Sequence, residues 1–188
     1  ADNLGSYFLA YTIGADFSVT NSGQIAHTLK TPEIAGEIGI REVTASDARR
    51  ITHLNDDLFA SRALGETREI RFRSNGAEIQ GWYILPPDFD PSRRYPLILE
   101  IHGGPFANYG PRFDIEKQLF AAAGYIVLFV NPHGSTSYGT EFIKSINRNF
   151  PGPDVDDLKN AVDAIKKEAP VDASKLFVSG GSGGGIRI

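Results

Sequence analysis

A glycine-rich segment around one serine limits most strongly what this chain can fold into. The apolar residues 176–178 lead into Gly180-Gly181-Ser182-Gly183-Gly184, which contains the pattern Gly-x-Ser-x-Gly. A serine at the tip of a sharp strand-to-helix turn needs glycine neighbours, because a Cβ there would collide with nearby atoms. Such a turn exposes the serine hydroxyl and points the next backbone N–H, that of Gly183, at an oxygen that gains negative charge. The pattern therefore predicts a nucleophile elbow with Ser182 at its tip.

A flexible Gly-Ser linker and a phosphate-binding loop are the alternative interpretations of this segment. A linker is disfavoured because a buried-type strand leads directly into the serine and an amphipathic helix precedes that strand. The P-loop pattern needs a lysine that is missing here. The pattern Gly-x-Gly-x-x-Gly, begun at Gly181, would need a third glycine where Ile186 stands. The elbow is the favoured interpretation.

Two further loops follow predicted strands and would lie near the elbow. His102-Gly103-Gly104-Pro105 follows residues 97–101, and its glycines would let a backbone N–H approach a substrate oxygen. A simple turn with a structural histidine is the alternative, and His102 is a poor general base because it precedes the serine. Residues 131–135, with His133 at their centre, end another strand and are favoured as a rigid connecting loop.

The remaining titratable residues of interest are assigned structural roles. Asp154, Asp156 and Asp157 lie in the first turn of a predicted helix, where carboxylates complement the helix dipole. We expect His27 and His53 to lie on the surface of the β-rich segment. We find no converging set of metal ligands and no cofactor motif.

The predicted secondary-structure pattern changes near residue 65. Before it, short β-prone runs at residues 7–13, 24–29 and 39–43 favour an antiparallel sheet of a sandwich or propeller. After it, strands at 68–73 and 79–85 are predicted to join through the turn Asn75-Gly76. Continuous apolar runs at 97–101, 125–130 and 175–178 predict strands buried on both faces, and helices are predicted at 114–123 and 154–168. Strands that alternate with helices predict a parallel, helix-covered sheet.

Composition excludes several classes of protein. The 188 residues carry a net charge of −4 without a basic cluster, so neither nucleic acid nor an anionic membrane is an expected partner. The absence of cysteine excludes disulfides and thiolate chemistry. No targeting segment or membrane span is recognisable, which favours the cytoplasm and leaves a periplasmic or secreted location open. A chain that starts with Ala and contains no Met fits an excised piece of a longer protein.

Several stretches, taken in order, resemble the prolyl oligopeptidase family, most closely its acylaminoacyl-peptidase and dipeptidyl-peptidase-like branch. The stretches are Gly81-Trp82-Tyr83 with Pro86-Pro87, Tyr95-Pro96-Leu97 through Pro105, Asn131-Pro132-x-Gly134-Ser135 with Tyr138-Gly139, and Gly180 through Gly185. The resemblance implies an α/β-hydrolase fold and hydrolysis of short peptides through an acyl-enzyme. Residues 1–64 would be the last blade and exit of a β-propeller, and residues 65–188 the N-terminal part of the hydrolase domain.

The resemblance also implies roles for individual residues. Ser182 would be the nucleophile, and the backbone N–H groups of Gly183 and Gly104 the oxyanion hole. The loops that carry His102, Gly103, Pro105 and His133 would border the substrate. Position 133 usually carries arginine in the family.

The resemblance further implies that an acid and a histidine follow the serine, on a C-terminal hydrolase segment outside this chain. We therefore expect the chain to be inactive alone, with too few residues after the elbow to form its helix. An esterase or lipase, a truncated non-catalytic binding or scaffold module, and a two-chain enzyme are alternatives. A homo-oligomer is also left open.

Overall fold

The structure, a computed structural model, describes residues 17–104 and 106–188. The predicted strand at residues 7–13 and the loop residue Pro105 lie outside these described residues. The described chain divides into two compact units. The first contains the residues up to Leu64 together with the segment 110–115, and the second contains residues 65–109 and 116–188.

The first unit contains an antiparallel four-stranded sheet in which the strands follow one another in chain order. Its elements are β1 (Phe17–Val19), β2 (Gln24–Leu29), β3 (Glu37–Glu42), β4 (Arg49–Arg50) and the short helix α1 (Asp56–Phe59). The predicted strand at 24–29 is confirmed, and the strand predicted at 39–43 runs from Glu37 to Glu42. The turn between β1 and β2 contains Asn21 and Gly23, as the β-rich pattern predicts.

The prediction for one histidine in this sheet is wrong. His27 is only 4% exposed, because strand β2 alternates its faces and places Ile25, His27 and Leu29 on the same buried side. His53 does lie on the surface, with its side chain 64% exposed.

The second unit is a mixed five-stranded sheet with helices. Its strands are β5 (Thr67–Ser74), β6 (Ala77–Ile84), β7 (Tyr95–Ile101), β8 (Ile126–Asn131) and β9 (Val171–Gly180), in the spatial order β5-β6-β8-β7-β9. Its helices are α2 (Ile115–Ala122), α3 (Thr140–Lys144), α4 (Pro153–Glu168) and α5 (Gly183–Arg187). Residue Ile115 of α2 is grouped with the first unit.

Strands β5 and β6 form the predicted hairpin. Ser74 pairs with Ala77, so that only Asn75 and Gly76 make the turn. Their φ angles are 47° and 82°, the left-handed pair that a two-residue turn of type I′ requires. Asparagine tolerates this region and glycine enters it without strain, which is why this dipeptide predicts the hairpin correctly.

The parallel part of the sheet consists of β7, β8 and β9. Strand β7 pairs with β8 on one side and with β9 on the other, both in parallel. All six residues of β8 are buried, and Leu158, Ala161 and Ile165 of helix α4 pack into the same core. Apolar residues at this spacing lie on one face of a helix, so the amphipathic pattern and its position are confirmed.

The predicted parallel strands with flanking helices are confirmed, and the hairpin strands make the sheet mixed, because the β5–β6 and β6–β8 pairings are antiparallel. One expectation for this sheet is corrected. Residues 175–178 are not buried on both faces: Leu176, Phe177 and Val178 are 41%, 50% and 45% exposed. The reason is position, since β9 is the edge strand of the described sheet and pairs only with β7.

Candidate active site

Ser182 lies between the end of strand β9 and the start of helix α5. Its backbone has φ 56° and ψ −121°, a conformation that a residue with a side chain rarely adopts. Ser182 is exposed, whereas the adjacent Gly183 and Gly184 are buried. The strand, the strained turn and the helix therefore present a hydroxyl at the carboxyl end of the parallel strands, where ligands bind in sheets of this kind.

Close backbone contacts explain the two glycines of the Gly-x-Ser-x-Gly pattern. A Cβ built on Gly180 would lie 2.8 Å from the carbonyl oxygen of Ile101, and one on Gly184 would lie 2.3 Å from the same oxygen. Both distances are shorter than carbon and oxygen tolerate. The turn thus packs directly on the end of β7, and only glycine allows this approach.

The two predicted oxyanion residues lie next to each other. A Cβ built on Gly183 would lie 3.0 Å from the backbone nitrogen of Gly104 and 3.1 Å from its carbonyl oxygen. The backbones of the elbow and of the loop after β7 therefore meet at these two glycines. Two backbone N–H groups that converge beside a hydroxyl can stabilise an oxygen that becomes negatively charged.

The side chain of His102 holds the loop that carries Gly104. Its Nδ1 lies 2.6 Å from the carbonyl oxygen of Gly103, and its Nε2 lies 3.1 Å from the Ser135 hydroxyl. Only a protonated Nδ1 can bond to a carbonyl oxygen, so the proton is on Nδ1. The Gly103 carbonyl and the Gly104 N–H belong to one planar peptide group, and a bond to the carbonyl therefore also orients the N–H.

The environment of His102 keeps its ring neutral. The pKa of His102 is lowered from 6.5 to about 4, chiefly by burial; the bond to Gly103 opposes this shift, and the positive charges of Arg187 and Lys117 add to it. The ring is 4% exposed and packs edge-on against Tyr109. Because both ring nitrogens are engaged, His102 positions the loop and does not face Ser182 as a base.

Helix α5 corrects the expectation that the residues after the elbow are too few to form a helix. Residues Gly183–Arg187 complete one helical turn. Arg187 is buried, and its Nε donates to Oδ2 of Asp154 at 2.5 Å while Nη1 donates to the carbonyl oxygen of His102 at 3.3 Å. Asp154, predicted to complement the helix dipole, thus also ties helix α4 to the turn behind Ser182.

His133 is bound to a second aspartate of helix α4. Its backbone N–H and its Nδ1 both donate to Oδ2 of Asp157, at 2.7 Å and 2.6 Å. The ring stacks on Phe142 with 4.6 Å between centroids. Asp157 also accepts from the side-chain amide of Asn75 at 3.2 Å. His133 therefore fastens the loop after β8 to α4 and to the β5–β6 hairpin.

Sequence reasoning missed Arg187 and the specific partners of Asp154 and Asp157. Helical spacing alone would place all three aspartates in or near the first turn, yet only Asp156 is exposed. The described part of the chain contains no group of three His, Cys, Asp or Glu residues placed to hold a metal ion. Across that part, none of the helices has both the length and the apolar character needed to cross a bilayer.

The parallel strands, the helices between them and the strand–turn–helix around Ser182 define the second unit as part of an α/β-hydrolase fold. The sequence profile of the prolyl oligopeptidase family matches residues 111–188. The chain is 38% identical over 142 residues to the uncharacterized peptidase YuxL of Bacillus subtilis, covering 74% of this chain and 22% of the relative. It is 31% identical over 183 residues to dipeptidyl-peptidase 5 of Porphyromonas gingivalis, covering 93% and 26%.

Solved structures agree with the sequence relatives. An acylaminoacyl peptidase in complex with Z-Gly-Gly-Phe-chloromethyl ketone superposes with a TM-score of 0.82 at 29% identity, covering 90% of this chain and 27% of that one. The Pyrococcus horikoshii acylaminoacyl peptidase gives 0.82 at 27% identity, covering 94% and 29%. The chain belongs to the prolyl oligopeptidase family. It spans about a quarter of the length of these relatives and structures.

Proposed function

We propose that the protein of which this chain is part is a serine peptidase that hydrolyses short peptides. The Ser182 hydroxyl gives its proton to a base and attacks the peptide carbonyl, and the N–H groups of Gly183 and Gly104 bind the oxygen of the tetrahedral intermediate. This intermediate breaks the C–N bond, the amine leaves with the proton, and water then hydrolyses the acyl-enzyme. The observation that carries this proposal is the adjacency of these two backbones beside an exposed serine with a strained φ of 56°. The named relatives are peptidases, which supports amide over ester substrates.

The general base must come from residues other than the two histidines of the second unit. His102 is bonded to Gly103 and Ser135, and His133 is bonded to Asp157. A free serine hydroxyl is a weak nucleophile without a base. We therefore propose that a histidine and an acid on a C-terminal hydrolase segment complete the site, and that residues 17–188 alone have only the residual rate that binding and the oxyanion hole supply, about 10³–10⁴ over water.

The first unit supports the proposal of a β-propeller at the N-terminal side. Its sheet has four antiparallel strands in sequential order, the arrangement of one propeller blade. We propose that residues 1–64 are the last blade and its exit, and that residues 65–188 begin the catalytic domain. A propeller that precedes the hydrolase domain in the chain would restrict access to short peptides.

Labelling of the full-length protein with a fluorophosphonate probe tests the proposal. The wild type should react at Ser182 and release chromogenic amine from an aminoacyl or acylaminoacyl substrate, and Ser182→Ala should lose both activities. Ser145→Ala is the matched control, because Ser145 directly follows helix α3 and its hydroxyl donates to the Phe142 carbonyl of that helix. Absence of labelling would contradict the nucleophile and favour a binding module. Labelling with hydrolysis of esters only would favour an esterase.

A further inference from the structure

A cavity of about 370 Å³ lies beside the loop that carries Gly104. It is lined by apolar side chains, with two cations and one amide, and the lining residues are Phe106, Ile143, Lys144, Ile146, Asn147, Arg148 and Phe150. This volume falls within the range of about 300–1,000 Å³ that is usual for small-ligand sites. All lining residues belong to the second unit.

Covalent and packing links place this cavity next to the proposed oxyanion hole. Phe106 follows Gly104 by two residues, and its backbone nitrogen lies 3.4 Å from where a Cβ of Gly104 would be. On the other wall, the Phe150 ring lies under the Arg187 guanidinium at 4.8 Å. Arg187 is in the helix that begins after Ser182. Both walls are therefore tied to backbone that carries the candidate catalytic groups.

The two cations at this cavity have no carboxylate partner among residues 17–104 and 106–188. Within the described residues neither Lys144 nor Arg148 forms an ion pair, whereas Lys159 and Lys166 of helix α4 each pair with an aspartate. Arg148 also has a φ of 56°, a left-handed conformation that is strained for arginine. Strain of this kind is found preferentially at ligand sites. Unpaired cations above an apolar floor suit a ligand with an apolar group and a negative charge.

We propose that this cavity binds the C-terminal residue of a short peptide, with an apolar side chain against Ile143, Ile146 and Phe150. The free α-carboxylate is held by Lys144 and Arg148, and the amide of Asn147 can bond to the adjoining peptide group. This inference rests on the proposed peptidase function, because it supplies the subsite that a short peptide substrate needs. The enzyme would then prefer peptides with a free, apolar C-terminus.

Fluorescence polarisation of labelled peptides on the full-length Ser182→Ala protein tests this inference without turnover. The probes are fluorescein-Gly-Gly-Phe with a free carboxylate, its C-terminal amide, and fluorescein-Gly-Gly-Ala with a free carboxylate. We expect the free acid to bind about tenfold more tightly than the amide, and the Phe peptide about tenfold more tightly than the Ala peptide.

Charge variants distinguish binding at the proposed site from nonspecific electrostatic attraction of an anionic peptide to the protein. Lys144→Gln and Arg148→Gln should each weaken binding of the free acid about fivefold and leave the amide unaffected. Lys159→Gln, an exposed lysine on helix α4, should change neither. Equal binding of acid and amide, or unchanged binding to both charge variants, would overturn the inference. Displacement by octanoate at lower concentration than by Gly-Gly-Phe would also overturn it, because the site would then be one for fatty acids.

This outcome is independent of the catalytic proposal. If wild-type Ser182 is labelled by the fluorophosphonate but the free acid binds no better than the amide, the peptidase proposal is supported and only the carboxylate subsite is refuted. Preference for the free acid with no labelling would leave a peptide-binding protein.

Discussion

The buried ion pair between Asp154 and Arg187 should contribute strongly to the stability of the second unit. The side chains are 0% and 1% exposed, and Nε lies 2.5 Å from Oδ2. The other carboxylate oxygen accepts from the Gly152 N–H at 2.7 Å. Asp154→Asn removes the negative charge and leaves the Arg187 guanidinium buried without a counter-charge. We expect this to lower the free energy of unfolding by about 3–5 kcal/mol.

A double-mutant cycle distinguishes the pair from simple packing effects. In Asp154→Asn with Arg187→Met neither charge remains, and an uncharged contact of similar volume replaces the pair. We therefore expect the double variant to lose only about 2 kcal/mol, less than the sum of the single variants. Asp163→Asn is the control on the same helix, since Asp163 is 68% exposed and should contribute less than about 1 kcal/mol through Lys166.

Urea unfolding followed by Trp82 fluorescence measures these free energies for the second unit, which contains the ion pair. Trp82 is the only tryptophan of the chain, is 5% exposed and stacks on Phe129 in the second unit. With a slope of roughly 2 kcal/mol per molar urea, a loss of 4 kcal/mol moves the midpoint by about 2 M. A midpoint for Asp154→Asn within about 0.3 M of wild type would refute the reasoning, as would strictly additive single variants.

Three other predictions concern the histidine and glycines. Because the pKa of His102 is about 4 when folded and near 6.5 when unfolded, the unfolded chain binds the extra proton, and His102 should by itself lower the free energy of unfolding by about 2 kcal/mol from pH 7 to 4.5. In His102→Gln the urea midpoint should fall less between pH 7 and 4.5 than it does in the wild type. An equal fall in both proteins would contradict the assignment to His102. Gly184→Ala should abolish fluorophosphonate labelling of the full-length protein because its Cβ meets the Ile101 oxygen, whereas Gly185→Ala, with no atom nearer than 3.7 Å, should retain labelling. Gly76→Ala should lower the free energy of unfolding by about 1 kcal/mol, measured by Trp82 fluorescence, since its φ is 82°; an unchanged midpoint would argue against the turn.

Local patterns predicted much of the second unit. Asn75-Gly76 predicted the hairpin because two positive φ angles are a requirement of the turn itself. Gly180 and Gly184 predicted a turn in which a Cβ would collide, and the structure shows that the Ile101 carbonyl oxygen is the atom it would meet. Amphipathic spacing predicted α4, because 3.6-residue periodicity places Val155, Leu158, Val162 and Ile165 on one face. The catalytic roles of Ser182, Gly183 and Gly104 stay predictions that the experiments above test.

The sequence by itself determined what depends on neighbours along the chain: turns, strand and helix periods, and the glycines that a tight approach demands. Only the tertiary structure decided what depends on partners far along the chain. It placed β9 at the sheet edge and paired Asp154 with Arg187, 33 residues away. It also paired His133 with Asp157 and buried His27 in the first unit. The physical reason is that burial and ion pairing depend on which surfaces meet in space, and no local spacing encodes that choice.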